Sequence, residues 1–379
     1  MPAPRLEIRL DRIEHNTRTL VDRLQRLGIS VTGVTKATLG APAVARAMLR
    51  GGVVGLGDSR IENIERLRAG GVGATMTLIR SPMLSQVERV VAHADVSLNS
   101  EPAVIEALGA AAVAQGLTHA VVLMVELGDL REGIMPGDLP DVVAHTLRVP
   151  GIELRGIGTN LACQSGATPD ERNMGALGAL VASIESSFGI EVGVVSGGNS
   201  ANLDWAFGGA DPGRIDDLRL GESILLGCEP LRRTPIVGLH TDAMTLVGEV
   251  IESKVKPSRA WGEINETAFG AARPDTGTDT GTTRRVIVAL GRQDTDPDGL
   301  TPPDGMTILG ASSDHLVLDV GAADCPIGAA LRFGVNYAAL LRSATSPFVM
   351  TALSGAPAPD LPVERATARL AEAADQPLR

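Results

Sequence analysis

The order of apolar and amphipathic segments in this chain of 379 residues predicts an α/β protein, a closed (β/α)8 TIM-type barrel followed by a mostly β C-terminal domain. Three observations predict it. Eight short apolar runs alternate with helix-length segments over about 190 residues, the count and spacing of a barrel with right-handed crossovers. That rhythm stops after Gly227, where Val, Thr, Met and Ile crowd together without an amphipathic stripe of comparable length. The informative polar residues of the first half stand where apolar runs end, and the carboxyl ends of strands are where such barrels carry their chemistry. An open, doubly wound sheet is the competing architecture.

Taken in order, Leu6 to Leu10 alternates apolar and charged residues and reads as a half-exposed strand. Asp11 is expected to cap a helix whose stripe is Ile13, Leu20, Leu24 and Leu27, closed by Gly28. Barrel strands are expected at Val31, Val53, Thr75, Val96, Val121, Leu154, Val192 and Leu218. The helices between them are Ala43–Leu49, Ile61–Leu67, Leu84–Ala92, Val104–Ala114, Pro140–Leu147 and Asp170–Ser187. Beyond Gly227, Ile236 to Val255 reads as extended, and Arg285–Leu290, Met306–Leu309 and Leu316–Val320 are short strands bounded by Gly, Pro and Asp. Arg273–Thr283 reads as a polar, mobile loop, and Glu364–Ala374 as a helix in an exposed tail.

With 44% hydrophobic and 21% charged residues, the chain can bury a sizeable core. A formal charge of −11 argues against nucleic acid or an anionic membrane as the main partner. No apolar stretch reaches membrane-spanning length, and Met1-Pro2-Ala3-Pro4-Arg5 opens no signal peptide. Cys163, Cys228 and Cys325 are scattered and make neither a disulfide framework nor a zinc pattern, so no metal is expected and the cytoplasm is the expected compartment.

The run Val31-Thr32-Gly33-Val34-Thr35-Lys36-Ala37 is the most informative, because a buried strand here delivers an ammonium to its carboxyl end. Such a lysine can form a Schiff base with a carbonyl cofactor such as pyridoxal phosphate, or simply reach solvent. Arg131 follows the strand Val121–Glu126, where it could equally serve a loop salt bridge. Ser196-Gly197-Gly198-Asn199-Ser200-Ala201-Asn202 follows the seventh strand and sets backbone N–H groups and a hydroxyl where an anion can dock. In Leu218-Arg219-Leu220-Gly221-Glu222-Ser223 a guanidinium lies between leucines and must find a partner. A pyridine nitrogen is one such partner, and Glu222 or Asp217 is the alternative.

Lys36, Arg131, Asn199-Ser200, Arg219-Leu220-Gly221 and Asn336-Tyr337 occur in the order and spacing of the bacterial alanine racemase superfamily, the fold-type III pyridoxal-phosphate enzymes. Within it the wording resembles ornithine racemases most, in Asp58-Ser59-Arg60-Ile61, Asn99-Ser100-Glu101, Leu127 to Gly133, Val195 to Ser200, Gln293 to Asp296 and Ile308 to Leu316. The resemblance implies a pyridoxal-phosphate barrel over 11–230 and a β domain over 231–379, joined by the strand in 1–10, that contributes to the partner's active site in a homodimer. It implies an amino-acid racemase, acting on ornithine or another basic amino acid by removing and returning the α-proton on opposite faces. Lys36 would hold the cofactor and act as one base. Ser200, the Gly221 backbone and Tyr337 would hold its phosphate, Asn199 would also contribute to the cofactor site, and Tyr337 is the only tyrosine in the chain. Arg219 would face the ring nitrogen, and Arg131 the phenolic oxygen or the substrate carboxylate.

One departure follows from the same comparison. Where alanine racemases carry a catalytic tyrosine this chain has Phe269, and where they carry a histidine after the sixth barrel strand it has Asn160. Asp314 and His315 of the partner subunit are therefore the expected second base, unless His315 merely packs on its strand. Asp294 and Asp296 are candidates to pair with a distal ammonium of the substrate, or else ordinary loop acids. The alternative functions are a non-catalytic pyridoxal-phosphate-binding protein and a fold-type III decarboxylase or aldolase.

Overall fold

The computed structural model describes residues 2–270 and 281–355, so that most of Arg273–Thr283 and the helix expected at Glu364–Ala374 lie outside the described residues. The chain opens with strand β1 (Arg5–Arg9) and the helix Leu10–Gln25. The barrel follows: β2 (Ser30–Val34), β3 (Gly55–Asp58), β4 (Met76–Leu78), β5 (Val96–Asn99), β6 (His119–Val125), β7 (Ile152–Thr159), β8 (Val194–Ser196) and β9 (Asp217–Leu220). All eight run parallel, neighbour to neighbour, and β9 pairs back onto β2 to close the ring. Their apolar faces sit against the surrounding helices, while Val96, Leu98, Ala120, Val122 and Met124 form a second, smaller cluster with Ile79.

The helices follow the apolar stripes. Leu10–Gln25 buries Ile13, Leu20 and Leu24 as expected, but Asp11 is not its cap. The helix begins two residues earlier, with Arg9 at the N-cap position, and Asp11 is held in the first turn by the Arg9 guanidinium, with an N–H···O distance of 2.8 Å. Glu171–Phe188 is closed at its start by a capping box, Asp170 accepting from the Asn173 N–H while the Asn173 side chain accepts from the Asp170 N–H. Asn16, fully buried, joins the first helix to the segment after β9 by donating to the carbonyls of Ile224 and His240 and accepting from the His240 N–H.

The second half is built on one long strand, β10 (Met244–Pro257). The remaining strands are β11 (Thr282–Val288), β12 (Leu300–Thr301), β13 (Thr307–Ala311), β14 (Leu316–Asp319), β15 (Ala330–Val335) and β16 (Met350–Ser354). β10 pairs antiparallel with β1 and β15 along its first half and with β11 along its second, with a register slip between Val250 and Glu252. β14 joins β11, β13 joins β14, and β16 runs parallel to β1. β1 therefore belongs to this sheet and not to the barrel. The strands β12, β15 and β16 and the helix Tyr337–Thr345 were not apparent from the sequence pattern, being short or mixed in polarity. No helix among the described residues is long and apolar enough to cross a membrane.

The end of the barrel opposite the strands' carboxyl termini carries a buried histidine. His119, the first residue of β6, lies 2.8 Å from the Ser97 hydroxyl through Nε2, and burial pushes its pKa down to about 4. The unfolded chain takes up that proton near pH 6.5, whereas the folded chain resists it, so the histidine's contribution is present above that pH and is lost as pH falls toward 4. Denaturant unfolding followed by circular dichroism should show stability dropping by about 3 kcal/mol over that interval from this group, and His119→Gln should flatten the drop.

Candidate active site

A cavity of about 800 Å³ opens at the carboxyl ends of the barrel strands, floored by Val34, Ile79, Leu98 and Met124. Lys36 enters it from a 3-10 turn, Lys36–Thr38, directly after β2. The residue before it is fixed at both ends: the Thr35 N–H donates to the Gly57 carbonyl at 2.9 Å, and its hydroxyl donates to Asp58 at 2.8 Å. Asp58, the last residue of β3, also accepts from the Asn63 amide at 2.9 Å and the Arg60 N–H at 3.0 Å. Burial raises its pKa, and those hydrogen bonds oppose the rise. The lysine is thus presented on a stiff base.

The Lys36 ammonium stands 5.8 Å from the ring centroid of Tyr337, a cation–π distance. Tyr337 opens the helix Tyr337–Thr345, whose start is fixed by Asn336 accepting from the Ala339 N–H at 3.0 Å. That helix follows β15, so the β domain of the same chain reaches back over its own barrel mouth. Burial pushes the Tyr337 phenol well above its usual range, and nearby Glu222 adds to the shift.

Across the mouth, Ser200 begins a short 3-10 turn after β8, ordered by Asn199, which accepts from the Ala201 N–H at 2.8 Å. The Ser200 hydroxyl lies 3.0 Å from that of Ser223 and accepts from the Ser223 N–H at 3.2 Å, joining the loops after β8 and β9. At Gly221 an added Cβ would lie 3.1 Å from the Val34 side chain and 3.2 Å from its carbonyl, so the backbone of this loop is drawn against the strand that carries Lys36. Backbone N–H groups and hydroxyls so gathered suit an anion.

Arg219, in β9, is only 5% exposed. It contacts neither Glu222 nor Asp217 directly. It donates to the Ser196 hydroxyl, to the Thr159 carbonyl at 2.9 Å and to Asn160 Oδ1 at 3.4 Å. Ser196 in turn donates to Asp217, which also accepts from Thr32 at 2.8 Å. Burial weighs against the Arg219 charge and lowers its pKa, and Asp217, one hydroxyl away, is the first group opposing that shift. Arg131 also lines the cavity and is ion-paired with Glu132. Its loop is folded on two buried acids: Glu126 accepts from the Gly128 and Arg131 N–H groups, and Asp129 accepts from the N–H groups of Cys163, Gln164 and Ser165. Asn160 Nδ2 donates to the Cys163 sulfur at 3.2 Å.

The remaining sequence candidates lie elsewhere in this subunit. Asp294 turns inward and accepts from the Gly291 N–H at 2.8 Å, and Asp296 caps the turn Pro297–Gly299 through the Asp298 N–H. Asp314 and His315 form a hydrogen-bonded pair, 2.9 Å apart, at the exposed tip between β13 and β14. Contact with His315 holds the Asp314 carboxyl below its usual range. These four share one edge: the N–H groups of Arg292 and Gln293 donate to the carbonyls of Ser312 and Ser313, and the Arg292 guanidinium covers Phe269 at 5.1 Å. Among the described residues no group of three or more His, Cys, Asp or Glu side chains is placed to hold a metal. The lining residues Arg80, Ser81 and Arg233 were not singled out from the sequence, although Arg80-Ser81 stands just past a barrel strand and the strand-end rule applies to it, and Glu222 was named only as a partner for Arg219.

Residues 8–230 match the family described as alanine racemase, N-terminal domain. The chain is 37% identical to the lysine racemase of Thermotoga maritima over 351 residues, spanning 92% of this chain and 98% of that protein. It is 35% identical to the ornithine racemase of Acetoanaerobium sticklandii, spanning 91% and 98%. Among solved structures, alanine racemase of Streptomyces lavendulae superposes with a TM-score of 0.73 at 20% identity, over 94% of this chain and 98% of that one. D-threonine aldolase of Filomicrobium marinum gives 0.70 at 18%, over 90% and 88%. At such identities the two superpositions establish the fold alone.

Asp129 is the tie between two loops of the rim. Asp129→Ala should release the three N–H groups it holds, and hydrogen exchange read by mass spectrometry should quicken at residues 163–165 by about tenfold or more.

Proposed function

The chain belongs to the alanine racemase family, and on that premise we propose that it is a pyridoxal-phosphate-dependent racemase of a basic amino acid, lysine or ornithine, working as a cytoplasmic homodimer. The observation that carries the reading is the convergence of Lys36, Ser200, Arg219, Gly221 and Tyr337, from four separate segments of the chain, on one cavity. The two full-length relatives named lysine and ornithine racemase support the substrate class.

The residues fit the cofactor. Five cationic side chains (Lys36, Arg80, Arg131, Arg219 and Arg233) line the cavity against two carboxylates, Glu132 and Glu222, which suits a phosphate and a carboxylate together. Ser200, the Gly221 backbone and Tyr337 would hold the phosphate, Arg219 would meet the ring nitrogen, Arg131 the phenolic oxygen, and Lys36 would hold the group covalently. Bound there, the cofactor supplies a carbonyl for the substrate's amino group and an electron sink that acidifies its α-hydrogen.

Every other part of the reaction falls to the protein. Lys36 takes the proton from, or returns it to, one face of the α-carbon. Arg219 donates a hydrogen bond without yielding its proton, so the electron sink stays shallow and return of the proton is favoured over deeper rearrangement. Thr35 and Asp58 keep the lysine aimed, and Leu98, Met124 and Ile79 keep water from the cavity floor. The opposite face needs a second titratable group. Phe269 has none, and we assign the role to the Asp314–His315 pair of the partner subunit, with Asp314 orienting the imidazole through the hydrogen bond between them.

Purified protein given pyridoxal phosphate should become yellow and should interconvert the enantiomers of lysine or ornithine, read by chiral chromatography, with deuterium entering the α-position in heavy water. Lys36→Ala should lose both colour and activity while remaining folded. Failure of wild type to racemise either amino acid would overturn the substrate class, and a yellow Lys36→Ala protein would overturn the role of the lysine.

His315→Ala should abolish racemisation yet keep exchange of one enantiomer's α-hydrogen through Lys36. Mixing inactive Lys36→Ala and His315→Ala subunits should restore part of the activity, because a hybrid dimer holds one intact site. If His315→Ala and Asp314→Asn each racemise at the wild-type rate, the second base lies outside this turn.

A further inference from the structure

The cavity contains an anion subsite that the reading above does not use. Arg80 and Ser81 follow β4 directly and line the cavity. Their backbone is set: the Ile79 N–H donates to the Asp58 carbonyl at 2.9 Å, and Pro82, buried, confines Ser81 to an extended conformation. Two observations there point to a ligand. The Ser81 hydroxyl oxygen is buried without a hydrogen-bond partner, an unfavourable state unless something fills it. Beside it, Arg80 is half-buried and takes part in no hydrogen bond or ion pair with a described residue.

Two other arginines of the cavity have partners: Arg131 is paired with Glu132, and Arg219 is bonded to Ser196, Thr159 and Asn160, whereas Arg233 stands exposed at the rim. The position also suits a second anion. In the closed ring β4 lies diametrically across from β8, which carries Ser200, and Lys36 enters from β2, two strands from each. An anion at Arg80 is thus as far as the mouth allows from one at Ser200, with the lysine between them.

We propose that Arg80 and Ser81 bind the α-carboxylate of the substrate, the guanidinium fork taking the two oxygens and the serine hydroxyl donating to one of them. The assignment rests on the amino-acid racemase reading for the identity of the carboxylate, whereas the subsite itself is a property of this chain. The fork matters because a carboxylate held at two points cannot swing as the proton is removed and returned.

Propionate, which has the carboxylate and nothing that reacts with a carbonyl, is the probe. Calorimetric titration into the pyridoxal-phosphate-loaded protein should show wild type binding propionate, Arg80→Met binding it about tenfold or more weakly, and Arg80→Lys falling between. Ser81→Ala should weaken it by about threefold, while cofactor affinity, read by visible absorbance, stays unchanged in all three. Equal propionate affinity in wild type and Arg80→Met, or no binding by wild type, overturns the subsite. Because the readout needs no turnover, loss of the racemase reading leaves it measurable. Conversely, an Arg80→Met enzyme that racemises with unchanged KM overturns the carboxylate assignment and leaves the racemase intact.

Discussion

Pairing of β9 with β2 is the constraint on which the rest depends. It sets Thr32 opposite Arg219 and Gly33 opposite Leu220, so the first and last barrel strands meet although nearly 190 residues separate them. Closure carries a chemical consequence besides removing the sheet's edges. Asp217 comes within reach of Thr32 and Ser196, and Ser196 within reach of Arg219. A guanidinium can therefore stay charged inside the barrel without touching a carboxylate. Such a buried charge is supported only while its partners hold geometry, because a buried charge left without hydrogen bonds is strongly destabilising.

The rim of the cavity is stiffened by a repeated device. Short loops after the strands would leave several N–H groups unpaired, and buried acids take them up. Asp58 gathers Thr35, Asn63 and Arg60; Glu126 gathers Gly128 and Arg131; Asp129 gathers Cys163 to Ser165; Glu229 gathers Leu231, Arg232 and Thr234. A carboxylate has lone pairs enough to accept several such bonds at once. The groups that meet ligand are then held by neighbours with no chemical task of their own. This explains how a set of loops serves as a precise site.

The β domain acts at two separate places. In its own subunit it sends the helix starting at Tyr337 back over the barrel, where the tyrosine meets Lys36. Its opposite edge carries Phe269, which is 52% exposed, together with Arg292, Asp314 and His315 outside that cavity. Gly291 couples the parts of this edge, since an added Cβ would come within 2.2 Å of the Asp314 nitrogen and the Ser313 carbonyl. The turn at 291–294 and the tip at 312–315 are therefore packed backbone against backbone. One domain thereby completes a site at home while presenting a second surface outward.

By itself the sequence determined the barrel strands, the helices between them and the residues standing at the strand ends, because hydrophobic period and turn chemistry are local properties. It also marked Lys36, Ser200, Arg219 and Tyr337 as candidates. Only the tertiary structure decided what each one touches. Arg219 turned out to be bonded to Ser196, Thr159 and Asn160 instead of to the acids adjacent in sequence. Asp294 and Asp296 are taken up by turns, and Arg80 and Ser81, unremarkable as a dipeptide, stand without partners in the cavity. Whether a charged side chain is spent or free depends on neighbours brought by long-range strand pairing, and that information is carried by no short stretch of the chain.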